Sequence, residues 1–438
     1  MMPVLSSACL RACTKLALLA RLVVLLSASA ASAQDCGDLT VAFGPAPNPT
    51  GAPVILQSQD ITLPTAWRGV RLYFKSGEIL PTGSYLRIIS LDNPSHVQDM
   101  TSAELGEWRH VSAIFNVAVT HQLRLQLWGG PNTETNSIFL DKACLVPSRN
   151  LGPECEVCSP CACEPPTSSI KWQARIFADD LQCSAAMWST RGCLISAGHC
   201  NRTGSPGGVA QFEVPESTVD GYYLHPHPSN QYPIVAVERD VATADWAVLK
   251  LGKSAGMTAF ARQGELRRIG TSVMSLTVGD PVATPGYGAG TGPGNGAQKL
   301  STGLVTQIFG LNSFLHTGYV QPGNSGGGVT VVVAPGNPEA VDVLLAVVSR
   351  ICQPDPITLE PCLSQPWPVN WPAFLAAMTS VCNNCIRDCD GNGQVTNDDR
   401  NILLGWIATF NPMGDLTGDG FVNAADLTFF DMVDPECP

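Results

Sequence analysis

Glycine and proline recur 41 and 34 times in this chain of 438 residues, and their spacing limits it to short elements. Proline removes a backbone donor and fixes φ, while glycine loses the most entropy in regular structure. The pieces between them are apolar or alternating. VRLYF, YLRIISL, HVSAIFNVAV, LRLQLW and SIFLD come before residue 148, and RGCLISAG, ADWAVLKL, GGVTVVVA and VDVLLAVVSR after residue 168. Runs of this length bounded by turn formers read as β-strands. The expected fold class is mainly β. A β-sandwich is expected over 34–148 and a second β-rich domain, barrel or sandwich, over 169–381 with a helix at PAFLAAMTSV.

The first 33 residues read differently. Arg11, Lys15 and Arg21 flank the apolar run LALLARLVVLLSASA, which ends in Ala31-Ser32-Ala33, the pattern of a secretory signal cleaved before Gln34. The run is short and broken by Arg21, which argues against a membrane anchor. The expectation is export, with no membrane association after cleavage. The formal charge is −12, and losing those three cations takes it to −15. An acidic chain without a basic cluster is a poor match for nucleic acid and a better one for calcium. Of 17 cysteines, Cys9 and Cys13 lie in the leader. An exported chain makes disulfides the default for the rest, whose number is odd.

Cys36 and Cys144 stand at the two ends of the N-terminal β region, where a disulfide would clamp it. With its closing NSIFLDKACL run, this segment resembles the jelly-roll modules attached to secreted bacterial enzymes, some of which bind carbohydrate. Trp108 and Trp128 are expected in its core, with sugar platforms as the alternative. Residues 149–168, NLGPECEVCSPCACEPPTSS, read as a Cys- and Pro-rich linker. Its Cys155, Cys158, Cys161 and Cys163 suit a disulfide-pinned spacer better than a metal knuckle.

Three local contexts carry chemistry. CLISAGHC, residues 193–200, ends an apolar strand at a turn bearing His199, with Cys193 and Cys200 placed to form a local disulfide. ADWAVLKL sets Asp245 directly before a buried run, with Asp240 as a rival carboxylate. PGNSGGGV, residues 322–329, places Ser325 among glycines, where backbone N–H groups can point at a developing oxyanion. A serine hydroxyl needs a base in reach, and the base needs an orienter. The order His, Asp, Ser at gaps of 46 and 80 residues resembles the chymotrypsin-like serine proteases over about 210 residues. The resemblance implies a double six-stranded β-barrel, cleavage of protein substrates through an acyl-enzyme, and no cofactor for catalysis. It gives Ser325 the role of nucleophile, His199 that of general base and acid, and Asp245 that of orienter. Gly323 and Ser325 N–H would form the oxyanion hole.

The chain departs from the trypsin pattern in two places. Asn324 stands where trypsins have aspartate, and the domain opens with SSIKWQARIFADD in place of Ile-Val-Gly-Gly. Both departures predict a domain that needs no N-terminal activation cleavage, and the GNSGG form is shared with glutamyl-endopeptidase-like bacterial relatives. The resemblance puts the specificity pocket at His316, Thr317, Tyr319, Ser349 and Arg350, compatible with an acidic P1 residue. Cys352 and Cys362 are expected to close a loop beside it.

Residues 382–438 contain an acidic repeat. DCDGNGQVTNDD starts at 388 and DLTGDGFVNAAD at 415, a spacing of 27 residues. Oxygen side chains at positions 1, 3, 5 and 12 around a glycine at 6 have the spacing of EF-hand calcium loops. The first ligand set is Asp388, Asp390, Asn392, the Gln394 carbonyl, Thr396 and Asp399. The second is Asp415, Thr417, Asp419, the Phe421 carbonyl, Asn423 and Asp426. With Asp at position 12 and short apolar helices following, the pair resembles a dockerin type I module. That implies two structural Ca²⁺ sites, a small α module and a possible cohesin partner. Cys389 and Cys437 are placed to staple its ends. The reading is a secreted serine endopeptidase with a dockerin-like tail. The alternatives are an inactive protease-fold binding or adhesion protein of an extracellular scaffold, and an esterase of the same fold.

Overall fold

The computed structural model describes residues 36–438 except 76–79, 136, 147–166, 179–180, 243–244, 268–275, 310–312, 319, 333–341, 350–361, 367–370, 383–386, 388, 390–394, 412–413, 418–420 and 433–438. The leader, the linker cysteines and Cys437 therefore lie outside the described residues. The chain from Cys36 onward forms one compact unit, mainly β with few helices.

The N-terminal part contains β1 (Cys36–Phe43), β2 (Ala46–Asn48), β3 (Val54–Thr62), β4 (Gly69–Phe74), β5 (Tyr85–Ser90) and β6 (Val97–Met100). After helix α1 (Ser102–Glu107) come β7 (Phe115–Asn116), β8 (Gln122–Gly129), β9 (Thr133–Thr135) and β10 (Ile138–Leu145). One four-stranded antiparallel sheet has the order β1-β10-β4-β7 and another the order β3-β8-β5-β6. On β8 the leucines at 123, 125 and 127 are buried and the residues between them are not, the period of two that a one-sided sheet requires. Val70 and Leu72 of the first sheet and Leu86, Ile88 and the β8 leucines of the second share one buried cluster. A disulfide joins the directly paired residues Cys36 and Cys144. Trp108 is a core residue, 2% exposed. Trp128 faces outward and stacks on Tyr85, and the Arg87 guanidinium lies 5.1 Å from the Trp128 ring centroid.

Two closed barrels follow. The first comprises β11 (Gln173–Ala178), β12 (Leu181–Met187), β13 (Cys193–Ala197), β14 (Val209–Gln211), β15 (Gln231–Asp240) and β16 (Trp246–Leu251). Helix α2 (Ala259–Gln263) separates it from the second. That barrel comprises β17 (Pro281–Gly286), β18 (Lys299–Phe309), β19 (Ser313–His316), β20 (Gly328–Val332), β21 (Asp342–Val348) and β22 (Cys362–Pro366). Both close in the same order, first-second-third-sixth-fifth-fourth. Closure pairs every strand on both sides, so neither barrel presents a sheet edge.

Helix α3 (Trp371–Cys382) packs on the first barrel, where Ala377 and Cys382 join its core. Helices α4 (Asn397–Ala408) and α5 (Ala424–Asp431) follow the two acidic loops. Their Trp406 packs against the first barrel's core, and Val422 is buried in the second barrel's cluster. No described helix is long and apolar enough to cross a membrane.

The expected Cys193–Cys200 bridge is not formed. Cys200 pairs with Cys183, and Cys193 pairs with Cys382, 189 residues away. The cause is strand geometry. Cys193 opens β13 and Cys200 follows its end, and a five-residue strand spans about 16 Å. Disulfide Cα atoms must approach within about 7 Å. Cys352 lies outside the described residues, so the loop expected from Cys352 and Cys362 does too.

Candidate active site

His199 sits in a one-turn 3-10 segment, Gly198–Cys200, where β13 ends. Only a residue without a side chain fits just before it, since a Cβ on Gly198 would lie 2.6 Å from Asp240 O. Asp245 immediately precedes β16, the strand paired with β13, and its φ of 47° is left-handed. Such a conformation in a non-glycine residue costs of order 1–3 kcal/mol and persists where surrounding contacts enforce it. Here they do. Gly198 N donates to Asp245 O at 2.9 Å, and His199 N donates to Asp245 Oδ1 at 2.9 Å.

The same carboxylate meets the imidazole, with His199 Nδ1 2.9 Å from Asp245 Oδ2. Asp245, not Asp240, holds this position. Ser349, at the end of β21, donates its hydroxyl to the same Oδ2. The Asp245 side chain is 15% exposed and that of His199 38%. Burial opposes ionisation of Asp245, but the hydrogen bonds from His199 and Ser349 outweigh it and hold the carboxyl below its usual range. Asp245 is thus a partly buried anion behind a more accessible imidazole, which favours the Nδ1–H tautomer and leaves Nε2 free to accept a proton.

Ser325 lies in the turn before β20, 8% exposed. The first barrel braces this turn. Ser184 N on β12 donates to Ser325 O at 2.8 Å, and Ser184 Oγ donates to Gly323 O at 2.8 Å. Tyr287 N, from the second barrel, donates back to Ser184 Oγ at 2.8 Å. Cys200 Sγ, next to His199, lies 3.6 Å from Ser325 O. Gly326 has φ 81°, and a Cβ there would fall 2.1 Å from Ser196 Oγ and 2.2 Å from Ser184 O. The Ser325 turn is therefore pressed against the strand that delivers His199.

Among the described residues, the N–H groups of Gly323 and Ser325 donate to no protein acceptor. Two backbone donors left unused beside a serine are what an oxyanion site requires. Asn324 is 5% exposed, and its Oδ1 has no hydrogen-bond partner. Gly286 and Gly288 make room for it, since a Cβ at either would come within 3.0 Å of that oxygen.

Of the expected pocket residues, His316 is fully buried and Thr317 exposed. Burial pulls the His316 imidazole down to about 4, so it is neutral near pH 7, with Nδ1 accepting from Gly318 N at 3.1 Å. Tyr319 and Arg350 lie outside the described residues. Ser349, expected at a pocket wall, donates its hydroxyl to Asp245. That role and the clamp at Ser184 were not read from the sequence. Both serines lie on apolar strands far in sequence from their partners, and no local spacing marks them.

The two acidic loops are built alike where they are described. Asp399 accepts from Cys389 N at 2.7 Å and Thr396 N at 2.8 Å. Asp426 accepts from Thr417 N at 3.0 Å and Asn423 N at 2.9 Å. Thr396 and Asn423 each cap the following helix. Asp399, Asp415 and Asp426 have no exposed surface. Thr417 Oγ1 lies 3.3 Å from Asp415 Oδ1 and 3.1 Å from Asp426 Oδ1, so three hard oxygen groups converge in the second loop. Asp388, Asp390, Asn392, Gln394 and Asp419 lie outside the described residues, Phe421 within them. Cys183, His199 and Cys200 also cluster, but the two cysteines are joined as a disulfide and cannot ligate as thiolates.

No family model matches the sequence, and no curated protein matches it. Solved structures similar to the chain include a scabies mite inactivated protease paralogue, at 15% identity and TM-score 0.38 over 49% of this chain and 98% of that one. A thermostable serine protease from an extremophilic microorganism has 14% identity and TM-score 0.36, over 49% of this chain and 99% of that one. The protease Anisep from Arthrobacter nicotinovorans has 14% identity and TM-score 0.36, over 50% and 99%. At these values the likeness carries no weight for the chemistry, which rests on the residues described above.

Proposed function

We propose that the chain is a secreted serine endopeptidase with a His199–Asp245–Ser325 triad. The observation that carries this reading is the contact of a partly buried carboxylate with His199 Nδ1, beside a turn whose Gly323 and Ser325 N–H groups donate to no acceptor among the described residues. In this reading Ser325 Oγ attacks a peptide carbonyl while His199 Nε2 takes its proton. The oxyanion forms against the two N–H groups, and His199 then protonates the leaving amine. Water enters, and the same base activates it to release the acyl group. Asn324 carries no charge to pair with a new N-terminal amine, so the reading includes activity without activation cleavage. The N-terminal sheets are an accessory β-sandwich in this reading.

The acidic loops are read as two dockerin-like calcium sites held by the ligand sets given above. Buried carboxylates and hydroxyls are the donors a hard cation takes. The calcium supplies charge neutralisation and structural support, and no catalytic step runs through it. A cohesin-type scaffold protein is the corresponding partner.

Fluorophosphonate labelling of the mature chain, with Ser325→Ala as control and mass spectrometry of the labelled peptide, tests the central claim. Labelling at Ser325 alone, without prior truncation, is expected. If neither intact nor proteolytically nicked chain is labelled, the protein is a binding protein of protease fold.

A further inference from the structure

The N-terminal sheets and the first barrel share a core, since Phe177, Val209 and Tyr223 of the barrel region belong to the sheets' buried cluster. Buried amides run through this junction. Arg175 on β11 donates from Nε and Nη2 to Gln211 Oε1, at 3.0 and 2.7 Å. Gln211 Nε2 donates to Gln231 Oε1 at 3.0 Å. Gln231 then crosses to the N-terminal side, where its Oε1 accepts from Ile114 N at 2.9 Å and its Nε2 donates to Ile114 O at 2.8 Å.

His225 is wedged into this relay. Its backbone exchanges two 3.0 Å bonds with the Asn116 side chain of β7. Its ring has no exposed surface, and Nδ1 lies 3.0 Å from Gln211 Nε2. The amide nitrogen is the nearer group and donates to Nδ1, while Gln211 Oε1, which already accepts twice from Arg175, lies 3.4 Å from the same Nδ1. The proton of the neutral ring is then on Nε2, which has no hydrogen-bond partner and faces β4, where a Cβ on Gly69 would come within 2.6 Å. The shorter contact at Nδ1 favours this neutral tautomer.

A second proton would go on Nδ1. There it would face the Gln211 N–H₂ and, at 3.5 Å, the Arg175 guanidinium. The groups facing His225 are Arg175 of β11, Gln211 of β14, Asn116 of β7, the Gly69 backbone of β4 and the Phe177 ring at 5.5 Å. His96, just before β6, acts on it through space and packs edge-on against His227 at 5.5 Å. His227 Nε2 in turn meets Ser95 O at 2.9 Å. Other charges at the junction include Arg71, bonded to Gly207 O; Arg109, bonded to Val235 O; Glu107, bonded to Lys253 N; and Arg68, 5.1 Å from the Tyr222 ring centroid in a cleft that Asp220 also lines. Among the described residues, no carboxylate hydrogen-bonds to His225 to compensate a positive ring.

We propose that this junction is an acid-operated latch, in which protonation of His225 at Nδ1 breaks the amide relay and parts the N-terminal sheets from the first barrel while both barrels stay folded. Burial first, then Arg175 and His96, hold the His225 imidazole well below its usual value. Burial and His227 likewise lower His96. For a histidine depressed in the folded state, the associated stability is present above the unfolded value of 6.5 and is lost as pH falls below it. The junction therefore weakens from about pH 6.5 downward. It does not depend on catalysis.

Hydrogen-exchange mass spectrometry of the full mature chain carrying Ser325→Ala, from pH 7 to 4 and corrected for intrinsic rates, tests this. Segments 111–117 and 225–231 should lose protection on acidification while β13 and β16 keep theirs. His225→Gln should move that loss at least about one pH unit further into acid, and His96→Gln should move it less. The latch is overturned if junction protection does not change with pH, or fails together with the barrels. It is also overturned if the loss is the same in both variants as in the parent.

Discussion

Replacing Asp245 with asparagine isolates the orienting role from the fold. Three donors converge on this carboxylate: His199 N and His199 Nδ1, each at 2.9 Å, and the Ser349 hydroxyl. An amide has one oxygen, and the backbone donor His199 N cannot move away from it. The new N–H₂ then faces His199 Nδ1 and Ser349. Nδ1 must become the acceptor, which puts the ring proton on Nε2, the nitrogen that in the proposed reaction takes the proton from Ser325. The wrong tautomer is expected to lower kcat by about 10⁴-fold, about 5.5 kcal/mol in the barrier. Folding should suffer far less, because the loss of a hydrogen bond to a charged group costs about 1.5–3 kcal/mol. Fluorophosphonate acylation rates for the parent, Asp245→Asn and Asp240→Asn, with thermal unfolding alongside, give the measurement. An Asp245→Asn rate within tenfold of the parent, or an equal loss from Asp240→Asn, would refute the assignment.

Other perturbations follow from the same contacts. Ser349→Ala removes one donor to Asp245 and should lower kcat roughly 10- to 100-fold with KM nearly unchanged, read from peptide hydrolysis. Gly326→Ala combines a left-handed φ with a Cβ 2.1 Å from Ser196 Oγ, and should destabilise the chain by about 2–5 kcal/mol in urea unfolding. Cys382→Ser opens a 189-residue loop and should cost about 2–5 kcal/mol, whereas mutating Cys193 alone should cost about as much as mutating both. Asp426→Asn with Asp399→Asn should abolish calcium uptake in calorimetric titration, and full retention would end the calcium reading.

Local patterns carried much of this protein. Gly and Pro spacing marks the strand ends, and alternation along LRLQLW already separates the buried leucines of β8 from its outward residues. His199, Asp245 and Ser325 were legible because each sits at a strand end in a short, characteristic run. Those signals depend on residues within a few positions of each other, so they survive without a fold. The partners of Cys193 and Cys200, the Ser349–Asp245 contact and the relay through Gln211 and Gln231 do not. Cys193 finds Cys382 only because α3 returns to the first barrel, and Ser349 reaches Asp245 across 104 residues because the two barrels abut. Barrel closure brings distant positions together, and no period in the chain records which ones. Packing of the N-terminal sheets on the first barrel decides that His225 is buried, whereas its sequence neighbourhood, LHPHPSN, would suit an exposed loop.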